Sequence, residues 1–231
     1  MSLDSTPPGE APRPRTAARL PALAFEEYIE EGFASEDGLL RELRRELGRR
    51  GMPVIQVPPV SARALQVLVA AAGARRVVEV GTLVGYSAIW MARALPADGR
   101  LVTLERDEER AELAKEFIQR AGLAERVEVR VGEARELLEA MDEEGDVDLV
   151  FVDADKDGNP MYADEAARLL RPGGTLVVDN ALWRGGVLDP PGAMDPEARL
   201  ISEFNGRMAS DERFLSTILT VGDGLLVAVR R

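Results

Sequence analysis

Two stretches put oxygen-rich side chains directly behind apolar, strand-like runs: "FVDADKDGN" at Phe151–Asn159 and "VVDNALW" at Val177–Trp183. Asp153, Asp179 and Asn180 offer two carboxylates and an amide oxygen. That is an incomplete set for a six-coordinate hard cation, leaving positions for water or a chelating substrate. The two negative charges balance a divalent ion, and a catechol-like chelator could then bind with its ionised oxygen stabilised by the metal. The plainer alternative is that Asp153 and Asp179 cap the helices that follow. The chain has no histidine and no cysteine, which excludes imidazole ligands, Ser-His-Asp triads, thiol catalysis and disulfides. Any metal must be held by oxygen, which points to Mg²⁺, Mn²⁺ or Ca²⁺.

Lys156 follows the first acidic cluster closely. Of 29 cationic residues only Lys115 and Lys156 are lysines. A guanidinium stays protonated at any working pH, whereas an ammonium group can release its proton when desolvated or near positive charge. Lys156 is therefore the candidate general base. Lys115 falls on an ordinary helix pattern and carries no chemistry.

A third stretch, "VVEVGTLVGYS" at Val77–Ser87, turns sharply after a strand. Gly81 and Gly85 allow a tight turn and a close approach to a ligand, and the following helix start favours an anionic group. Glu105, ending the next strand, can accept hydrogen bonds from ribose hydroxyls. A dinucleotide would call for G-x-G-x-x-G, but this turn reads G-x-x-x-G. Glu79 would repel a pyrophosphate yet attract an ammonium, which favours S-adenosylmethionine. The bland alternative is that both glycines only pack a helix against a strand.

These residues need a scaffold. Helix patterns cover residues 24–31, Ser35–Gly51 with Ser35 as N-cap, and Pro58–Gly73 with Ser61 as cap. From Arg75 apolar strands alternate with helices, including Tyr86–Leu95, one capped by Asp107, and one near Met161–Leu170. Near-continuous Val and Leu in the strands suit a parallel sheet covered on both faces. A helix near Pro196–Ala209 precedes two strands joined by Gly-Asp-Gly, the signal for a hairpin. The expectation is an α/β fold: a doubly wound, mostly parallel seven-stranded sheet with an antiparallel C-terminal hairpin. Residues 1–20 read as a flexible tail and 21–231 as one domain, with 21–73 as an N-terminal helical cap.

The 231 residues are 45% hydrophobic, enough for one core, and no apolar run is long enough to span a bilayer. A net charge of −12 repels phosphate backbones, so neither nucleic acid nor membrane is an expected partner. A cytoplasmic location is the expectation.

Taken in order, "VVEVGTLVGYSA", "VDADKD", "VVDNALWRGGV" and "VGDGLLVAV" resemble the caffeoyl-CoA and catechol O-methyltransferase family from about Met52 to the C-terminus. That resemblance implies a Rossmann-like methyltransferase fold, S-adenosylmethionine and a divalent cation, with a small phenolic acceptor and a homodimer using the N-terminal helices. It implies Asp153, Asp179 and Asn180 as metal ligands and Lys156 as base. The cofactor would touch Val57, Glu79, Gly81, Thr82, Gly85, Ser87, Glu105, Ala134, Asp153 and Asp155. Trp183 would wall the acceptor pocket, or else serve as a core or interface residue.

The chain departs from the family at two places, both where the acceptor should sit. Plant-type members continue "DADKD" with Asn-Tyr, where this chain has Gly158-Asn159-Pro160, and the substrate-contacting Asn is here Arg184. Two competing readings are a nicotinamide-dependent oxidoreductase and a non-catalytic S-adenosylmethionine-binding protein. The full Asp/Lys/Asp/Asn set disfavours the second.

Overall fold

The computed structural model describes residues 22–231, so the expected tail lies outside the described residues. Three helices come first: α1 (Ala22–Gly32), α2 (Gly38–Arg49) and α3 (Pro59–Ala71). Alternation then begins with β1 (Arg76–Val80), α4 (Tyr86–Ala92), β2 (Arg100–Glu105), α5 (Glu108–Arg120), β3 (Val127–Val131) and α6 (Ala134–Glu139). It continues with β4 (Val147–Val152), α7 (Asn159–Leu169), β5 (Leu170–Val178), α8 (Pro196–Ser210), β6 (Phe214–Leu219) and β7 (Leu225–Arg230).

The sheet has seven strands in the order β3-β2-β1-β4-β5-β7-β6. β1 to β5 pair in parallel, while β7 pairs antiparallel with both β5 and β6. This is the doubly wound sheet with a C-terminal hairpin that the Val-rich runs predict.

Both faces of the sheet are buried at its centre, so β4 is buried throughout, while the edge strands β3 and β6 alternate. On one face Val77, Leu149 and Phe151 pack with Leu40, Leu65, Ile89 and Phe117 from α2, α3, α4 and α5. On the other, Val78, Val150 and Val152 pack with Leu138, Tyr162 and Phe204 from α6, α7 and α8. Among the described residues no helix is long and apolar enough to cross a membrane.

Several helix ends differ from the sequence expectation. The cap of α2 is Asp37, not Ser35: its carboxylate accepts from Leu40 N at 2.9 Å. A carboxylate is the stronger acceptor at the positive end of a helix. Ser61 does not cap α3. Pro59 fits the first helical turn, so the helix begins earlier and Ser61 becomes a fully buried interior residue. α4 ends at Ala92 rather than Leu95, and a tight turn bonds Leu95 N to Ala92 O ahead of Pro96. Asp107 caps α5 as expected, accepting from Arg110 N at 3.0 Å.

Candidate active site

The strand order reverses its winding between β1 and β4, and open α/β sheets place their ligand crevice at such a point. A cleft of about 820 Å³ opens there, beyond the C-terminal ends of the strands. Val57, Gly81, Thr82, Ser87, Glu105, Ala134, Asp153 and Asp155 all line it, as do Lys156, Asp179, Asn180, Trp183 and Arg184. Glu79 and Gly85 are not on its wall.

Gly81 is required by the protein's own backbone. Its φ is +97°, and a Cβ there would overlap the Asp153 carbonyl, so the β1 and β4 ends could not approach each other. Gly85, with φ +83°, faces α5: an added Cβ would meet Ala114 and Ile118 at 3.4 Å. An added methyl would sit at ordinary contact distance, so it is the positive φ at the start of α4 that calls for glycine there.

Glu79 lies beneath the cleft floor, fully buried. Ser87 Oγ donates to its Oε1 and Thr103 Oγ1 to its Oε2, each at 2.5 Å. Burial outweighs these bonds and pushes its carboxyl up to about 8, with the charges of Asp153 and Glu105 adding to the rise. Glu105 ends β2 at the cleft. Leu83 N and Asp107 N donate to its two carboxylate oxygens at 2.8 and 3.0 Å, fixing its direction.

The acidic strand ends meet as consecutive parallel strands dictate. Val152 pairs with Val178 at the end of β4 and β5, and the next residues are Asp153 and Asp179. Their backbone N–H groups continue the ladder, Asp153 N to Val80 O at 2.9 Å and Asp179 N to Val152 O at 3.0 Å. Neither carboxylate caps a helix: α7 and the 3₁₀ turn Trp183–Leu188 both start without a side-chain cap.

Asp179 is 4% exposed, and its Oδ1 is buried without a hydrogen-bond partner. Burial and the neighbouring Asp153 charge push its carboxyl up to about 7. Burial also pushes Asp153 up, against the attraction of Lys156. Lys156 Nζ stands 3.6 Å from Asp153 Oδ1, its side chain only 11% exposed. Lys115 by contrast pairs with Glu112 on an exposed helix face.

Asp155 accepts a 2.6 Å hydrogen bond from the Tyr162 hydroxyl. Partial burial raises its carboxyl, but the bonds from Tyr162, Asp157 and nearby backbone N–H groups together bring it below its usual range. Trp183 is half-buried, and its indole N–H donates to Asp195 at 3.1 Å. The same Asp195 caps α8, so Trp183 is tied to a helix start and borders the cleft rather than filling the core. Arg184 is exposed with φ +50°.

Sequence reasoning missed several contributors to this cleft. Asp223, in the β6–β7 turn, reaches it, as do Tyr162 and the rim formed by Glu26, Val54 and Ile55. Only the aspartate has a local trace, as the polar residue between two glycines. Among the described residues no cluster of three carboxylate, imidazole or thiolate groups is assembled. The set at Asp153 has two carboxylates and an amide.

Comparison with known proteins follows the same outline. Residues 30–231 match the family model described as O-methyltransferase. A catechol O-methyltransferase of Niastella koreensis is 40% identical over 213 residues, covering 89% of this chain and 96% of that one. A caffeoyl-CoA O-methyltransferase of Eucalyptus gunnii is 32% identical over 217 residues, covering 90% and 87%. Among solved structures, an O-methyltransferase from Bacillus cereus in complex with SAH is 37% identical with a TM-score of 0.81, covering 90% of this chain and 97% of that one. The O-methyltransferase TomG from Streptomyces achromogenes, in complex with SAM, is 35% identical with a TM-score of 0.80, covering 90% and 96%. The chain belongs to the S-adenosylmethionine-dependent O-methyltransferases of the catechol and caffeoyl-CoA type.

Proposed function

We propose that this O-methyltransferase methylates a phenolic hydroxyl of a catechol-like or hydroxycinnamoyl acceptor, using Asp153, Asp179 and Asn180 to hold a divalent cation and Lys156 as general base. The observation that carries this reading is the Asp179 Oδ1, a buried acceptor with no partner beside a second carboxylate. Buried polar atoms are nearly always satisfied, so an orphan next to like charge wants a cation. The three oxygens fit a hard divalent ion, and Mg²⁺ is the expected one. When bound, such an ion stabilises the ionised form of an oxygen acceptor and fixes its orientation.

The chain's own groups divide the remaining work. Glu105, held by two backbone N–H groups, presents its carboxylate edge to ribose hydroxyls. Val57, Thr82, Ser87, Ala134 and Asp155 line the adenosyl and amino-acid ends of the cleft. Glu79 acts from below, through Ser87, to orient that wall. Lys156 takes the acceptor's hydroxyl proton onto Nζ, and Asp153 holds that nitrogen in place. Sulfonium and phenolate neutralise each other in the transition state, so a cleft that excludes water favours transfer. Trp183 narrows the acceptor end, and Arg184 stands where the family's substrate-contacting Asn would be.

The reading extends to a single domain over residues 21–231 and to a homodimer. Phe25, Tyr28 and Phe33, on α1 and just after it, are exposed by 53%, 67% and 62%, an apolar surface suited to a second copy.

The test is a panel of catechols and hydroxycinnamates with labelled methyl donor, run with and without Mg²⁺. Label should enter vicinal diphenols only when the cation is present. Equal labelling after chelation removes the cation from the reaction, and no labelling of any phenol removes the acceptor class.

A further inference from the structure

The turn between β6 and β7 holds the segment that follows β5. The Asp223 carbonyl accepts from Leu182 N at 2.9 Å, and the Gly224 carbonyl accepts from Ala181 N at 2.9 Å. The Asp223 side chain splits its two oxygens. Oδ1 accepts from Arg184 N at 2.5 Å, and Oδ2 accepts from Asn180 Nδ2 at 3.4 Å. Close packing accompanies these bonds, since a Cβ at Gly224 would meet the Leu182 side chain at 2.5 Å.

The segment so held is strained. Asn180, Trp183 and Arg184 have φ of +62°, +45° and +50°, a left-handed backbone that non-glycine residues adopt at a cost. Such a run persists only where the surroundings fix it, and here Asp223 supplies bonds at both its ends.

We propose that Asp223 is a positioning residue that sets which end of the Asn180 amide faces the strand-end carboxylates. This rests on the cation site proposed above. An amide has a donor end and an acceptor end, whereas a carboxylate only accepts. Facing Asp223, Asn180 must present its NH₂ group, which leaves the carbonyl oxygen for a cation. A neutral amide at position 223 reverses this logic. If the oxygen of that new amide kept the Arg184 N–H, its NH₂ would confront the NH₂ of Asn180. Asn180 would then turn its oxygen away from the ion.

Asp223→Asn should therefore do more harm than Asp223→Ala, which removes the partner without imposing the wrong one. Mn²⁺ titration of the full chain with bound S-adenosylhomocysteine, followed by electron paramagnetic resonance, reads this directly. Asp223→Asn is expected to weaken Mn²⁺ about tenfold or more, and Asp223→Ala by less. S-adenosylhomocysteine affinity and melting temperature should stay near wild type in Asp223→Asn, separating positioning from folding. Mn²⁺ affinity within twofold of wild type in Asp223→Asn overturns the inference. So does a greater loss in Asp223→Ala, which would make Asp223 a direct ligand. Wild-type protein that binds no Mn²⁺ overturns the cation site itself, and this inference with it.

Discussion

Asp179 has its carboxyl pushed up to about 7 by burial and by the charge of Asp153, which ends the neighbouring strand. Two acids with this mutual repulsion are costly to keep together. Their juxtaposition follows from the parallel register of β4 and β5, so it is built into the sheet and not into a flexible loop.

Replacing either acid should separate chemistry from cofactor binding. Asp153→Ala and Asp179→Ala are expected to lower cation-dependent methyl transfer by about a hundredfold or more, as removal of a main electrostatic stabiliser does. S-adenosylhomocysteine affinity, measured by calorimetry, should change far less in Asp179→Ala. Turnover that survives in both variants would contradict the assignment.

Lys156→Arg keeps the positive charge beside Asp153 but cannot deliver a base. Its turnover should fall by roughly 10²–10⁴-fold, with binding of both substrates retained. The pH–rate profile should also lose the limb that reports the base. An unchanged profile would leave Lys156 as a charge partner for Asp153 only.

Glu79 gives a stability prediction with a defined sign. Unfolded, its carboxyl loses a proton near the ordinary 4.5; folded, it keeps it to about 8. The folded chain therefore binds the extra proton between those values, and this group makes stability fall as pH rises through that window. The limiting slope is about 1.4 kcal/mol per pH unit. Glu79→Gln removes the titration, so its melting temperature relative to wild type should climb from pH 5 to pH 8. A constant difference over that range would refute the buried, proton-holding carboxyl.

Gly81→Ala tests the close approach of β1 and β4. The Cβ would strike the Asp153 carbonyl in a backbone of φ +97°, with no flexible side chain to yield. A destabilisation of about 3 kcal/mol or more is expected, read by denaturant unfolding. Gly85→Ala should cost less, because its neighbours Ala114 and Ile118 stand at ordinary contact distance.

The sheet was largely legible in the sequence because fully buried strands read as unbroken Val and Leu runs, and consecutive βα units fix which strand ends are neighbours. Asp153, Asp179 and Asn180 could be placed at one edge on that ground alone. Helix starts were less legible. Ser35 and Ser61 have the right residue type, but Asp37 offers a charged acceptor and Pro59 starts its helix early. Gly81 and Gly85 read as a turn, but the approach of the Asp153 carbonyl that forbids a side chain at Gly81 shows only in the folded chain. In the sequence Asp223 reads only as a hairpin residue. Its partners Asn180 and Arg184 lie on another loop, and only the folded chain brings them to it.

The central claim is a divalent cation seated among Asp153, Asp179 and Asn180. Anomalous scattering from crystals grown with Mn²⁺ and S-adenosylhomocysteine tests it most directly. The account predicts a single strong peak about 2–2.5 Å from an oxygen of each of the three side chains. A fully ordered cleft with no peak there, or with the ion bound elsewhere, would contradict it.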